Sequence, residues 1–182
     1  MRTALTGVLT RCHSARIVFA FVCWAIAASP ASAQERWEAW GGYAFMHDTQ
    51  DDLHLPAGWA AGTGATLTRW LSVVVDASGH YRTVPLVGGD VRVSTHALMA
   101  GGRASAKIGN VIEFGQLLAG AVHTTGTAFG QSSVETHLGL QAGGGLDVKL
   151  RRALTTRVQL DARFLRTGPQ IRVVAALVFA GR

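Results

Sequence analysis

Seventeen consecutive residues, Val134 to Leu150, alternate between two kinds of side chain. Val134, Thr136, Leu138, Leu140, Ala142, Gly144, Leu146, Val148 and Leu150 make one set. Glu135, His137, Gly139, Gln141, Gly143, Gly145, Asp147 and Lys149 make the other. A period of two puts the sets on opposite faces of an extended strand and leaves no continuous stripe for a helix. Strands of soluble proteins usually run ~5–6 residues, so this one is unusually long.

The pattern recurs along the chain. Leu71, Val73, Val75, Ala77, Gly79 and Tyr81 oppose Ser72, Asp76, Ser78, His80 and Arg82, with Val74 the exception. Trp37, Ala39, Gly41, Tyr43 and Phe45 oppose Glu38, Trp40, Gly42 and Ala44. Val91, Val93, Thr95, Ala97 and Met99 oppose Arg92, Ser94, His96 and Leu98, which places Arg92 and His96 on the polar face. Val158, Leu160, Ala162 and Phe164 oppose Arg157, Gln159, Asp161 and Arg163. The segment 111–124 is the least clear, because Gln116 falls among Ile112, Phe114, Leu118 and Val122. These readings predict eight strands, at 36–46, 58–69, 71–82, 91–104, 111–124, 133–150, 153–165 and 170–180. The odd-numbered connections, 47–57, 83–90, 125–132 and 166–169, are expected to be mostly longer than the even-numbered ones. An even number of antiparallel strands with long loops at one end and short turns at the other is the pattern of an outer-membrane barrel.

The first 33 residues read as an address. Arg2, Arg11 and Arg16 precede an apolar run, Ile17 to Ala28, and then Ala31-Ser32-Ala33. A basic start, an apolar core too short to span a bilayer and an A-x-A site predict a secretory signal cleaved before Gln34. The chain then divides into a signal peptide, 1–33, and one barrel domain, 34–182. Both cysteines, Cys12 and Cys23, fall in the signal. Without it the basic residues number 14 against 11 acids, so the formal charge of +6 is partly a property of the address. No clustered basic face remains to suggest nucleic acid. With 15% charged residues the chain has too few for a coiled coil, and with 48% hydrophobic residues it is too apolar for a disordered tail.

Alternation does not say which face is outside, and a soluble ligand-binding barrel alternates too. Aromatic placement favours the membrane. Trp37, Trp70 and Phe179 fall at the short-turn end and Phe45, Trp59, Tyr81 and Phe164 at the long-loop end, as two interfacial girdles would. The polar faces mix charge with glycine and alanine, as a narrow filled lumen requires. Lipid also demands a closed sheet, which eight strands can supply.

Gly58–Tyr81 (GWAAGTGATLTRWLSVVVDASGHY) resembles the second and third strands of the OmpA-like eight-stranded outer-membrane β-barrels, and Gly143–Leu165 (GGGLDVKLRRALTTRVQLDARFL) resembles their sixth and seventh. The resemblance covers the chain after the signal. It implies an all-β, eight-stranded antiparallel transmembrane barrel in the cell outer membrane, with both termini in the periplasm. Implied partners are outer-membrane lipids, lipopolysaccharide and the barrel-assembly machinery. The family often ends on an aromatic, whereas here Phe179 is followed by Ala180, Gly181 and Arg182.

No catalytic constellation, cofactor motif or metal motif is found. Lumen-facing charges are expected to pair, because an unpaired buried charge costs several kcal/mol. The expected network comprises Asp76, His96, Asp147, Arg157, Asp161 and Arg163, with Asp147 opposite Arg157 and Asp76 near His96. Glu38, Arg92, Glu135, Lys149 and Arg172 and the histidines His80 and His137 are expected on the same polar faces. The first long loop carries Asp48, Asp51 and Asp52 beside His47 and His54, which could contact a divalent cation. His80, His123 and His137 are expected toward the long-loop end without a recognised metal spacing, and His123 could approach Ser132-Ser133 but lacks an orienting acid. The resulting expectation is a small non-enzymatic outer-membrane barrel with a role in envelope integrity or in contacts made by surface loops. The alternatives are a narrow solute channel and a soluble secreted ligand-binding barrel.

Overall fold

The structure, a computed structural model, describes residues 37–49, 53–86, 89–128, 131–151 and 153–181. The expected signal at 1–33 and the cleavage point lie outside them. Within them the chain forms β1 (Trp37–Asp48), β2 (Leu53–Leu55), β3 (Ala57–Thr66), β4 (Leu71–Leu86), β5 (Gly89–Ile108), β6 (Val111–Ala128), β7 (Gln131–Lys149), β8 (Leu154–Leu165) and β9 (Gly168–Gly181). Each long strand pairs antiparallel with the next, and β1 pairs with β9 from Trp37 to Asp48, so the sheet closes on itself. Closure leaves every strand between two others over the barrel wall, which is what lipid requires of backbone amides.

The short β2 is the upper part of β3, offset by one residue. Tyr43 pairs with Trp59 and Met46 with Leu55, so four steps on one strand match three on the other. Pro56, which cannot donate a ladder hydrogen bond, sits at this bulge. Eight full-length strands therefore make the wall. The pairing register, followed once around from Leu146 through Val158, Ala175, Tyr43, Trp59, Gly79, His96 and His123, returns to β7 at Thr136, ten residues away. A stagger of ten over eight strands tilts them by roughly 40°, given a rise of about 3.3 Å and a spacing of about 4.7 Å.

The apolar set faces outward. Leu138 is 79% exposed, and Leu117, Val158, Leu160, Tyr43 and Phe179 are all more than half exposed. The interior instead holds Asp76, Asp161, Gln141 and three arginines at 1% exposure or less. This is the reverse of a water-soluble barrel, and the secreted ligand-binding alternative fails on it. Such a belt is stable only where lipid covers it. Trp37, Trp70 and Phe179 mark its lower edge and Trp59, Tyr81 and Phe164 its upper edge, all on the outer face.

Two expectations are corrected. On β5 the faces are exchanged. Thr95, Ala97, Met99 and Arg103 are buried inside, while His96 and Leu98 share the outward face with Arg92. The apolar contrast there is weak, and the interior against this wall is itself apolar, so composition pointed the wrong way. The expected long loops at 83–90 and 125–132 are strand throughout their described residues. The ladder between β4 and β5 runs to Leu86 and Gly89, and that between β6 and β7 to Ala128 and Gln131. Thr, Ser and Val populate these ends, and their β propensity outweighs the turn signals of Pro85 and the nearby glycines.

Candidate functional site

Most of the charges in the barrel interior belong to one hydrogen-bonded network. Glu38 on β1 accepts from Arg103 on β5 and from Arg157 on β8, the latter through Nη2 at 3.2 and 3.3 Å. Arg157 also grips Asp147 with Nε and Nη2, both at 2.7 Å. Higher in the lumen, Arg172 on β9 binds both oxygens of Asp76 at 2.9 and 2.6 Å and Oδ2 of Asp161 through Nε and Nη2 at 3.0 and 2.7 Å. Gln116 joins the two clusters. Its Oε1 accepts from Arg103 and its Nε2 donates to Asp161. Gln159 donates a further bond to Asp161 at 2.8 Å.

The geometry follows from alternation. Inward residues on neighbouring strands fall in register, so Asp147 pairs directly with Arg157 and Asp161 with Arg172. The Asp161 carboxylate needs a flat floor. A Cβ on its partner Gly143 would coincide with it, so the glycine makes room for the charge. The guanidinium groups of Arg103 and Arg157 lie 4.4 and 4.7 Å from the Phe114 ring centroid, which covers them with an electron-rich face. Two apolar clusters flank the network. Trp40, Ala44, Ala60, Val174, Ala176 and Val178 form one, and Val74, Ala97, Met99, Leu118 and Val122 the other.

Asp147 and Arg157 pair as expected, and Asp76 and Asp161 share Arg172. Arg163 is buried, but its bonds go to neutral groups, Gln141 Oε1 at 3.2 and 3.0 Å and Ser78 Oγ at 3.2 Å. His96 does not belong to the network. Asp76 pairs with Met99, and His96 pairs with Gly79 and His123 on the outer face. Arg92 likewise lies outside it. Arg103 was missed, because the exchanged faces of β5 hid it, and Gln116, an odd residue among apolar neighbours, was the visible signal for it.

The remaining candidates separate. Asp48 bonds Gln170 through its Oδ2 at 3.0 Å, while Asp51 and Asp52 lie outside the described residues. His47 stacks on His54 at 4.4 Å. His80 is buried in the lumen, His123 faces outward and His137 contacts Glu135, so these three do not converge. Among the described residues no three potential ligands form a metal cluster. His123 bonds Thr136 and Ser132 bonds Thr127, so the histidine and serines near this hairpin do not make a nucleophile–base pair.

No protein family and no curated protein matches the sequence. Solved structures do match the fold. Ail, the attachment invasion locus protein of Yersinia pestis, in complex with the heparin analogue sucrose octasulfate, superposes with a TM-score of 0.64 at 18% identity over 81% of this chain and 99% of that one. Neisserial surface protein A gives 0.58 at 10% identity, covering 82% and 99%. The N-terminal barrel domain of Pseudomonas aeruginosa OprF gives 0.54 at 12%, covering 81% and 99%. Strand number, closure, an outward apolar belt and a charge-filled lumen agree with these likenesses: the chain has the fold of the OmpA-like eight-stranded outer-membrane β-barrels.

Proposed function

We propose that this protein is a surface-contact barrel of the outer membrane, whose working part is the β4–β7 ribbon and not the lumen. One observation carries the reading. β7 pairs with β6 from Gln131 onward but with β8 only from Gly139. The ribbon therefore rises beyond the rest of the wall, and eight residues of β7 present an edge with no ladder partner among the described residues. An exposed strand edge is a ready template for an extended segment of another protein.

The filled lumen supports contact over transport. The heparin analogue bound by Ail is not carried over. At this end the described residues balance Arg82, Arg92 and Arg166 against Asp48, Asp90 and Glu135, which offers no basic excess for a polysulfate.

The test uses whole cells expressing the full chain. Ser132→Cys should be labelled by a membrane-impermeant maleimide, placing the ribbon outside. The cells should also adhere to surfaces coated with extracellular-matrix or serum proteins. A variant shortened within 84–91 and 126–133 should keep its heat-dependent gel mobility and lose adhesion. Equal adhesion by the shortened form would remove the ribbon from the mechanism.

A further inference from the structure

The outer face of β5 and β6 changes character in one step. Going up the paired ladder, the outward partners are Gly102 with Leu117, Ala100 with Ala119 and Leu98 with Ala121. The next three are His96 with His123, Ser94 with Thr125 and Arg92 with Thr127. The three pairs below the step are apolar. In the three above it every residue carries a hydrogen-bond donor and none is an acid; the next outward residue of β5, Asp90, closes the strip at its upper end.

The step lies at the upper edge of the lipid belt. The His96 ring meets Tyr81 edge-on at 5.5 Å, and Tyr81 accepts a hydrogen bond from Trp59 Nε1 at 3.3 Å. These are the aromatic residues that sit at headgroup level. Gly79 shapes the spot. It pairs with both Trp59 and His96, and a Cβ there would lie against Trp59 Nε1 and His96 Nδ1. Both rings therefore lean over the glycine, which fixes the imidazole on the wall. His123 is held in turn by Thr136 at 3.0 Å through Nδ1, leaving Nε2 for another partner. Directly paired residues hold their Cβ atoms about 5 Å apart, so the two imidazoles can share one ligand.

We propose that His96 and His123, with Ser94, Thr125 and Arg92 above them, form a site for the phosphate of a phosphorylated outer-leaflet lipid. A phosphate oxygen accepts from several donors at once, and six donor-bearing residues in three paired rows, with the nearest outward carboxylate of β5 at Asp90 beyond Arg92, suit it. A transition metal would want a third ligand, and none joins the pair among the described residues. The site rests on the ribbon end facing the cell exterior. The Ser132→Cys labelling tests that orientation independently of lipid binding.

The experiment is native mass spectrometry of the full-length protein in detergent, offered bisphosphorylated lipid A or the same lipid enzymatically dephosphorylated. The wild type should retain one phosphorylated lipid in preference by at least about tenfold, the scale of one charge-assisted hydrogen bond. The double variant His96→Gln, His123→Gln should lose most of that preference with unchanged heat-dependent mobility, and Arg92→Ala should lose part of it. If mobility shows the double variant misfolded, Arg92→Ala decides, because Arg92 is exposed at the upper end of the strip. Equal retention of the two lipids overturns the proposal, as does an unchanged preference in the variants. Retention that needs added Zn²⁺ and vanishes with chelator also overturns it and makes the histidine pair a metal site.

Discussion

Adjacent residues on one strand of this barrel live in different solvents. Leu117 is 62% exposed on the lipid side, whereas Gln116 is buried between Arg103 and Asp161. The same substitution type therefore has opposite meanings one residue apart. Leu117→Arg puts a charge into hydrocarbon and should cost about 2–4 kcal/mol if the site lies near mid-bilayer. Gln141→Leu, on the interior of β7, removes the acceptor that takes two bonds from Arg163. With only Ser78 left, the buried guanidinium should cost about 1–3 kcal/mol. Urea unfolding in vesicles, followed by tryptophan fluorescence, measures both. A Gln141→Leu protein as stable as the wild type would mean that Arg163 reaches solvent or another partner. The interior charges were legible individually, since Asp147, Arg157, Asp161 and Arg163 stand on polar faces of clear alternation. Their partners were legible only where one tight turn separates them.

At the scale of strands, the informative feature is unequal length. β5, β6 and β7 contain 20, 18 and 19 residues, while β3 and β8 contain 10 and 12. About 9–11 residues cross a bilayer, so the long strands extend past it. The extension is a hydrogen-bonded ladder, and amide exchange should report it. Thr124 to Thr127 on β6 have partners on both sides and should exchange slowly throughout. Gln131 to Leu138 on β7 are paired on one side only, so slow and fast amides should alternate. Uniformly fast exchange in both segments would return them to loops and undo the ribbon. Residues 83–90 and 125–132 were misread because Pro, Gly and Ser are weighed locally as turn formers. Pairing along a neighbouring strand is a nonlocal gain that local weighing omits.

For the whole molecule, a stagger of ten over eight strands fixes a lumen that side chains can fill. Arg157, Arg163 and Arg172 are among its largest fully buried side chains, with Met46, Met99 and Leu118 beside them. The closed ladder resists detergent, so unboiled and boiled samples should migrate differently in electrophoresis. In planar bilayers the wild type should show no steady conductance. Steady channel openings at neutral pH would show that the arginine–carboxylate network parts to admit water, and would favour the solute-channel reading over surface contact.

Alternation with period two is a local property, and by itself it determined the strands, their approximate number and the faces of β1, β4, β7 and β8. The aromatic ends of those strands pointed to a membrane before any contact was known. Where the period lost contrast, the sequence determined little. On β5 the inner wall is apolar and the outer rim polar, so the rule that polar residues face the lumen inverted His96 and Arg92. Only closure of the barrel brought Arg103 to Glu38, 65 residues away, and Arg172 to Asp76, 96 residues away. Those distances depend on how far each strand is staggered against the next, a quantity set by the whole ring of hydrogen bonds and written in no single segment of the chain.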